Sequence, residues 1–264
     1  MTGAGASLQG LTVYVTRPEP EATVLAGKIS CLDAQAVVMP VMLIEPVSGA
    51  SQQFERCVAQ QDGGILVFVS RNAARAALDA LTPERIEQLN RFKIAAIGSA
   101  TAQTLHEYSL VVDLVPESSV FTSEALLSLP EMQAVKNEKI TIVRGLGGRA
   151  LLADRLMQRG ATVRFCELYK RVLPGRFDPD NFRHCGKSGT VIIASSQEIL
   201  ENLLQLAGTG YEAIVKCTSL LVVSPRIQDA ALNLGFKSDI LVADNATDKA
   251  VIECLLKWHA AQEK

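Results

Sequence analysis

The chain has 264 residues, a length that favours two domains over one at roughly 100–200 residues each. Hydrophobic residues make up 48% and charged residues 20%, enough for packed cores and too apolar for a disordered chain. Lys and Arg number 26 against 28 Asp and Glu, a formal charge of −2; no nucleic-acid partner is expected, and an anionic ligand must be held by a local patch or by backbone N–H groups.

Along the chain, short apolar runs end in Ser, Thr, Gly or Asn and give way to amphipathic stretches. Leu11 to Thr16 predicts a strand, with Arg17-Pro18-Glu19 opening a helix to about Cys31. Ile65 to Ser70 is followed by a helix from Arg71-Asn72 through Leu81, and Lys93 to Gly98 by a helix from Ser99 to about Tyr108. Val111 to Val115 predicts a fourth strand before a short helix at Ser123-Glu124. Lys139 to Arg144 leads through Gly145-Leu-Gly-Gly148 into a helix ending near Arg159. Thr190 to Ser195, Leu220 to Ser224 and Asp239 to Ala243 complete the strands, each with a helix after it, the last running through Trp258.

Capping boxes are expected at Thr16…Glu19 and Ser195…Glu198, first-turn prolines at Pro18 and Pro225, and C-terminal stops at Gly160 and Gly235. Strands apolar on both faces and alternating with helices specify parallel sheets covered on both sides, so the fold class is α/β with two sheets of four or five strands. Val37 to Val47 and Val163 to Leu173 are extended runs without a following helix. Each fits an edge strand or a linker crossing between domains.

In open α/β sheets ligands bind beyond the carboxyl ends of the strands, where helix N-termini present unpaired N–H groups. Those positions read Thr16-Arg17, Ser70-Arg71-Asn72, Gly98-Ser99-Ala100-Thr101, Arg144-Gly145-Leu-Gly-Gly-Arg149, Ser195-Ser196 and Ser224-Pro225-Arg226. Hydroxyls and glycines there serve capping alone in many proteins, but an arginine beside a cap is not needed for capping. The row suits carboxylates or phosphates.

Cofactor motifs fail. The phosphate-loop pattern GxxxxGK[ST] is absent, and Gly145-x-Gly147-x-x-Ala150 matches the dinucleotide fingerprint only nominally, since Glu167 is poorly placed as its ribose partner. His106, His184 and His259 lie far apart, and the chain has no nucleophile elbow. The six cysteines, Cys31, Cys57, Cys166, Cys185, Cys217 and Cys254, are scattered without a CxxC pair and read as reduced thiols, not as metal ligands. No apolar run reaches the roughly 18 residues of a membrane span, and Met1 to Gly10 lacks the features of a secretory signal. A cytoplasmic protein without membrane contact, metal or cofactor is expected, and an enzyme of this kind would work by positioning and electrostatics.

Taken in order, the turns resemble the uroporphyrinogen-III synthase family. The matching pieces are Thr16-Arg17-Pro18, Phe68-Val-Ser-Arg-Asn-Ala-Ala74, Ala96-Ile-Gly-Ser-Ala-Thr-Ala102 and Ser123-Glu124-Ala-Leu-Leu127. Ile142-Val-Arg-Gly-Leu-Gly-Gly-Arg149, Leu168-Tyr169-Lys170-Arg171, Ser195-Ser196 and Ser224…Gly235 continue the series. The likeness spans about Leu11 to Leu256, with one departure where Arg226-Ile227 replaces a threonine frequent in the family.

The resemblance implies two α/β lobes, the central one inserted into the other through two antiparallel linker strands, with the site in the cleft between them. It assigns residues 1–37 with 174–264 to one lobe and 38–173, linkers included, to the other. It further implies cyclisation of linear hydroxymethylbilane to uroporphyrinogen III, with loss of water and inversion of ring D through a spiro intermediate. The eight carboxylates of that substrate fit the turns, making Thr16, Arg17, Ser70, Asn72, Ser99, Thr101, Arg144, Gly145, Arg149, Ser195, Ser196 and Ser224 the expected binding residues. Tyr169 becomes the candidate proton donor to the leaving hydroxyl; the plainer reading is that it packs a hinge. No cofactor is implied, the chain is expected to act as a monomer, and a transient contact with hydroxymethylbilane synthase is the one protein partner the resemblance allows. The competing readings are a two-lobed small-molecule binding protein without activity and a nucleotide-dependent enzyme built on the Gly145 loop.

Overall fold

The computed structural model describes residues 7–79, 81–116, 123–148 and 150–262. Along the chain the strands are β1 (Thr12–Val15), β2 (Gln35–Val38), β3 (Leu43–Pro46), β4 (Ile65–Phe68), β5 (Lys93–Ala96), β6 (Lys139–Gly145), β7 (Thr162–Val172), β8 (Thr190–Ala194), β9 (Ser219–Val222) and β10 (Ile240–Val242). The helices are α1 (Glu21–Ser30), α2 (Ala50–Ala59), α3 (Arg71–Leu78), α4 (Pro83–Glu87), α5 (Ser99–Glu107) and α6 (Ser123–Leu127). They continue with α7 (Pro130–Gln133), α8 (Leu151–Gln158), α9 (Gln197–Lys216), α10 (Pro225–Asn233) and α11 (Asp248–Gln262).

The strands form two five-stranded sheets, ordered β10-β9-β8-β1-β2 and β3-β7-β6-β4-β5. In the first, β2, β1, β8, β9 and β10 are parallel pair by pair; in the second, β5, β4, β6 and β7 are. The chain divides into two compact units, one comprising residues up to Leu43 and from Val172 onward, the other Ile44–Arg171.

Period-two alternation builds both faces of the second sheet. Leu66, Phe68, Ile94 and Ala96 join one cluster with Phe54 of α2, Ala73, Ala74 and Ala77 of α3 and Leu105 of α5. Ile65, Val67, Ala95, Ile140 and Ile142 join another with Leu126 and Leu127 of α6 and Leu152, Ala153 and Leu156 of α8. Burying such a side chain contributes about 1.5–3 kcal/mol for each Leu, Ile, Val or Phe, which is why both faces need helices. In the first unit Tyr14, Val191, Ile192, Ile193 and Leu220 to Val222 are likewise buried.

Several local expectations are corrected. The helix after β1 starts at Glu21, so Pro18 is not in its first turn and the Thr16…Glu19 box does not form. Instead the Glu19 carboxylate accepts from the Thr23 amide at 3.1 Å, serving the helix from the other side. Before α9 the cap is Ser196, not Ser195: its Oγ accepts from Ile199 N at 3.2 Å. Pro225 does open α10, and Gly160 and Gly235, both at φ +86°, follow α8 and α10 as stops. Val111 to Val115 makes a single bridge, Leu114 to Ala95, in place of a strand. There the Asp113 carboxylate accepts the Ile94 N–H at 2.7 Å, so a side chain replaces the backbone acceptor a ladder would need.

The run from Val37 to Val47 is not one strand. It ends β2 at an edge of the first sheet and, after Met39–Met42, begins β3 at an edge of the second. Met39 and Val41 donate backbone N–H to Val15 and Thr16 carbonyls at 2.9 and 3.1 Å, and Asn202 Nδ2 donates to the Val41 carbonyl at 3.1 Å. Met39, Val41 and Met42 are buried. Residues 38–43 therefore pack with the first unit, and Val172 and Leu173 fall there too, which moves both boundaries from the expected ones. The Val163–Leu173 run is β7, hydrogen-bonded between β6 and β3.

Candidate active site

Parallel strands bring the predicted turn residues to the carboxyl edge of each sheet. In the first unit Thr16 is fully buried, and its hydroxyl donates to the Ile193 carbonyl of the neighbouring β8. Arg17 is 7% exposed, and its Nη1 lies 2.9 Å from Asp248 Oδ1 in the first turn of α11. Lys28 Nζ takes the other carboxylate oxygen at 2.7 Å. Burial works to raise the Asp248 carboxyl; the Lys28 hydrogen bond and the charges of Arg17 and Lys28 outweigh it and hold it below its ordinary value. The N-terminus of α11 favours the same charge. Ser195 and Ser196 are half-buried after β8, and Ser196 caps α9. Half-buried Ser224 precedes α10 without giving its hydroxyl to the cap.

In the second unit, Ser70 Oγ accepts from Ala73 N at 3.0 Å, capping α3, and lies 3.0 Å from the Tyr169 hydroxyl. Asn72 is half-buried in the first turn of α3. Ser99 is exposed at the start of α5, whereas Thr101, two residues on in the same first turn, is buried. Arg144 is 9% exposed: its Nε and Nη2 reach Glu167 Oε1 at 3.1 and 2.9 Å, and its guanidinium sits 4.0 Å over the Phe165 ring. Arg149 lies outside the described residues.

A register shift positions Tyr169. Arg144 pairs with Glu167 but Gly145 pairs with Tyr169, so β7 carries one extra residue. Such a bulge re-aims the side chains beyond it. Tyr169 consequently joins Cys166 and Leu168 in one cluster, on the side of α3 and Ser70. Its ring occupies the space a side chain at Gly145 would need, since a Cβ there would stand 2.6 Å from Tyr169 Cε2 and Cζ. Close approach of the tyrosine thus accounts for the first glycine of the nominal dinucleotide fingerprint.

The structure therefore brings together Ser70, Gly145 and Tyr169, with Arg144 beside them. Thr16, Arg17, Thr101 and Arg144 are buried, Tyr169 is 5% exposed, and Ser99, Ser195, Ser196, Ser224, Ser70 and Asn72 keep exposed or half-exposed surface. The carboxylates that pair with the two arginines, Asp248 and Glu167, and Lys28, which shares Asp248 with Arg17, were not anticipated as ion partners; an acidic residue opening the last helix was the one available signal for Asp248. Among the described residues no three His, Cys, Asp or Glu side chains gather as a metal site would need. The groups on offer are hydroxyls, backbone N–H groups at helix starts and a phenol–serine pair, which suit binding of carboxylates and donation of a proton.

Comparison with known proteins agrees in every direction. The model of the family described as uroporphyrinogen-III synthase HemD matches residues 23–253. The uroporphyrinogen-III synthase of Escherichia coli K12 is 32% identical over 93% of this chain and 100% of its own length; that of Salmonella typhimurium LT2 is 33% identical over the same shares. Among solved structures, uroporphyrinogen-III synthetase of Helicobacter pylori 26695 superposes with a TM-score of 0.61 at 13% identity, covering 94% of this chain and 99% of that one. A mutant uroporphyrinogen III synthase of the extremely thermophilic bacterium Thermus thermophilus gives 0.59 at 18%, covering 96% and 99%. With its two helix-flanked, largely parallel sheets and a match along nearly its whole length, the chain belongs to the uroporphyrinogen-III synthase family.

Proposed function

We infer that the chain carries out the family's reaction, closing linear hydroxymethylbilane to uroporphyrinogen III with loss of water and inversion of ring D through a spiro intermediate. The observation that carries this is the 32% identity over 93% of the chain and the full length of the relative. Uncatalysed closure gives the unflipped isomer I, so the protein's task is to make attack by the substituted carbon of ring D the favoured path.

In the second unit, Ser70, Asn72, Ser99 and the N–H groups opening α3 and α5 would take substrate carboxylates. In the first unit, Ser195, Ser196, Ser224 and the starts of α9 and α10 would do the same. Arg17 and Arg144, being buried and ion-paired, would act chiefly by holding the turns. Loss of the substrate hydroxyl needs a proton on the leaving oxygen. Ser70 is the half-exposed member of the phenol–serine pair, with Tyr169 behind it, so Tyr169 would deliver its proton at or through Ser70 Oγ. We further propose that the protein acts as a monomer in the cytoplasm and receives substrate in transient contact with hydroxymethylbilane synthase, because free hydroxymethylbilane closes to the wrong isomer.

The test is to generate hydroxymethylbilane in situ with and without the protein, oxidise the products and separate the isomers. Isomer III is expected. Isomer I alone, from folded protein, would overturn the assignment.

A further inference from the structure

The second unit carries a cavity of about 450 Å³, a size in the range of small-molecule sites. One wall is α2 from Gln52 to Ala59; the other runs from Leu81 through α4 to the short 3-10 turn Gln88–Arg91. Since α2 descends to the start of β4 and the turn leads into β5, the cavity lies toward the amino ends of these strands. Ser70 and Ser99 stand at the opposite, carboxyl ends. Val58 and Leu89, buried in the core, and half-buried Leu81 give the cavity an apolar lining. Three arginines join that lining, Arg56 from α2, Arg85 from α4 and Arg91 from the turn, against one carboxylate, Glu55. Each guanidinium is steadied by a neutral oxygen. Arg91 Nη2 donates to the Val58 carbonyl at 2.9 Å, and the guanidinium lies 5.1 Å from the Phe92 ring centre. Arg56 Nε donates to the Gln52 carbonyl at 3.2 Å, and Arg85 Nη1 reaches Gln88 Oε1 at 3.4 Å. Among the described residues none of the three has a carboxylate at ion-pair distance. Each guanidinium has five N–H groups, so most of them are unspent. Service to the last turns of α2 accounts for Arg91, but not for Arg85 or for the cavity between the walls.

We propose that this cavity is a binding site for a small organic dicarboxylate, separate from the carboxyl-edge residues that would hold substrate. Guanidinium forks accept carboxylates with two parallel hydrogen bonds, and like charges gathered without counter-ions gain from an anion between them. The arginines come from two walls, so two carboxylates joined by an apolar body match them. One compact phosphate would leave Val58, Leu81 and Leu89 unused. The bound molecule would join α2 to α4, tying together the segments that lead into β4 and β5.

The experiment titrates the whole chain with phthalate by calorimetry at low ionic strength and at more than one temperature. Phthalamide, its neutral analogue, and inorganic phosphate are titrated beside it. Phthalate should bind, and both comparison ligands should bind about tenfold weaker or worse, one lacking the charges and the other the apolar body. Because the carboxyl edge is also expected to take carboxylates, variants locate the site. Arg56 and Arg85 have exposed side chains, so their replacement leaves the core intact. Arg56→Gln and Arg85→Gln should each weaken phthalate binding about tenfold, whereas Ser99→Ala at the carboxyl edge should leave it unchanged. Phthalate binding that survives both arginine substitutions, or that falls with Ser99→Ala, would overturn the proposal. So would equal binding of phthalamide or phosphate, or no binding of phthalate at millimolar concentration to folded protein. None of these readings depends on turnover, so they stand apart from the outcome of the isomer assay.

Discussion

The turns after β1 and β4 are composed alike, a hydroxyl followed by an arginine, yet they are used differently. After β1 the helix waits until Glu21, so Thr16 and Arg17 belong to a loop lying on the sheet edge. There Thr16 bonds the Ile193 carbonyl and Arg17 pairs with Asp248. After β4 the helix begins at once with Arg71, so Ser70 must cap it, and its oxygen is held at the sheet edge where Tyr169 meets it. The distance from strand end to helix start decides whether a turn hydroxyl is locked into the sheet or presented beside a helix N-terminus. A closed turn stabilises; a half-open one can also meet ligand.

If the first turn is chiefly structural, its disruption should show in stability. Arg17→Ala removes a buried guanidinium and leaves Asp248 with Lys28, for which about 3 kcal/mol is expected; urea unfolding would show it, and a loss under about 0.5 kcal/mol would deny the turn that role. Gly145→Ala places a methyl against the Tyr169 ring and should cost about 1–3 kcal/mol. It should also reduce isomer III formation more than stability alone explains, since the ring must leave Ser70. Tyr169→Phe keeps the packing and loses only the hydroxyl, at about 1 kcal/mol or less, because Ser70 still accepts from Ala73. Turnover should nevertheless fall several-fold; unchanged turnover in folded protein would leave Tyr169 a packing residue. The smallest effect concerns acid. With its folded-state value held below 3.8, Asp248 contributes stability that is full above the ordinary value and is lost as pH falls through the lower, folded one. Wild type should therefore lose stability more steeply than Asp248→Asn between about pH 5 and about pH 3, and parallel curves would remove Asp248 as a source of acid sensitivity.

Much of the architecture was legible in sequence because it depends on short-range signals. Apolar runs such as Thr190–Ala194 alternating with helical stretches imply parallel sheets, and Pro225, Gly160 and Gly235 sit at the helix ends their chemistry suits. Where a signal had two readings, packing chose. Pro18 could open a helix, but α1 begins later; Val111 to Val115 could be a strand, but the Asp113 side chain takes the acceptor position. Val37 to Val47 could be one strand, yet the bonds of Met39 and Val41 to the end of β1 divide it.

The alternation of elements, the class of fold, and the supply of hydroxyls, glycines and arginines at the strand ends were written in the sequence, because propensity and periodicity act over a few residues. Which of those groups are taken up by partners within the protein and which keep exposed surface was decided by tertiary structure alone. Arg17 finds its carboxylate in the last helix, and a one-residue slip between β6 and β7 turns Tyr169 toward Ser70. Partners so distant in the chain leave no mark on local pattern; they meet only once register and helix starts have been set by burial of the two faces of each sheet.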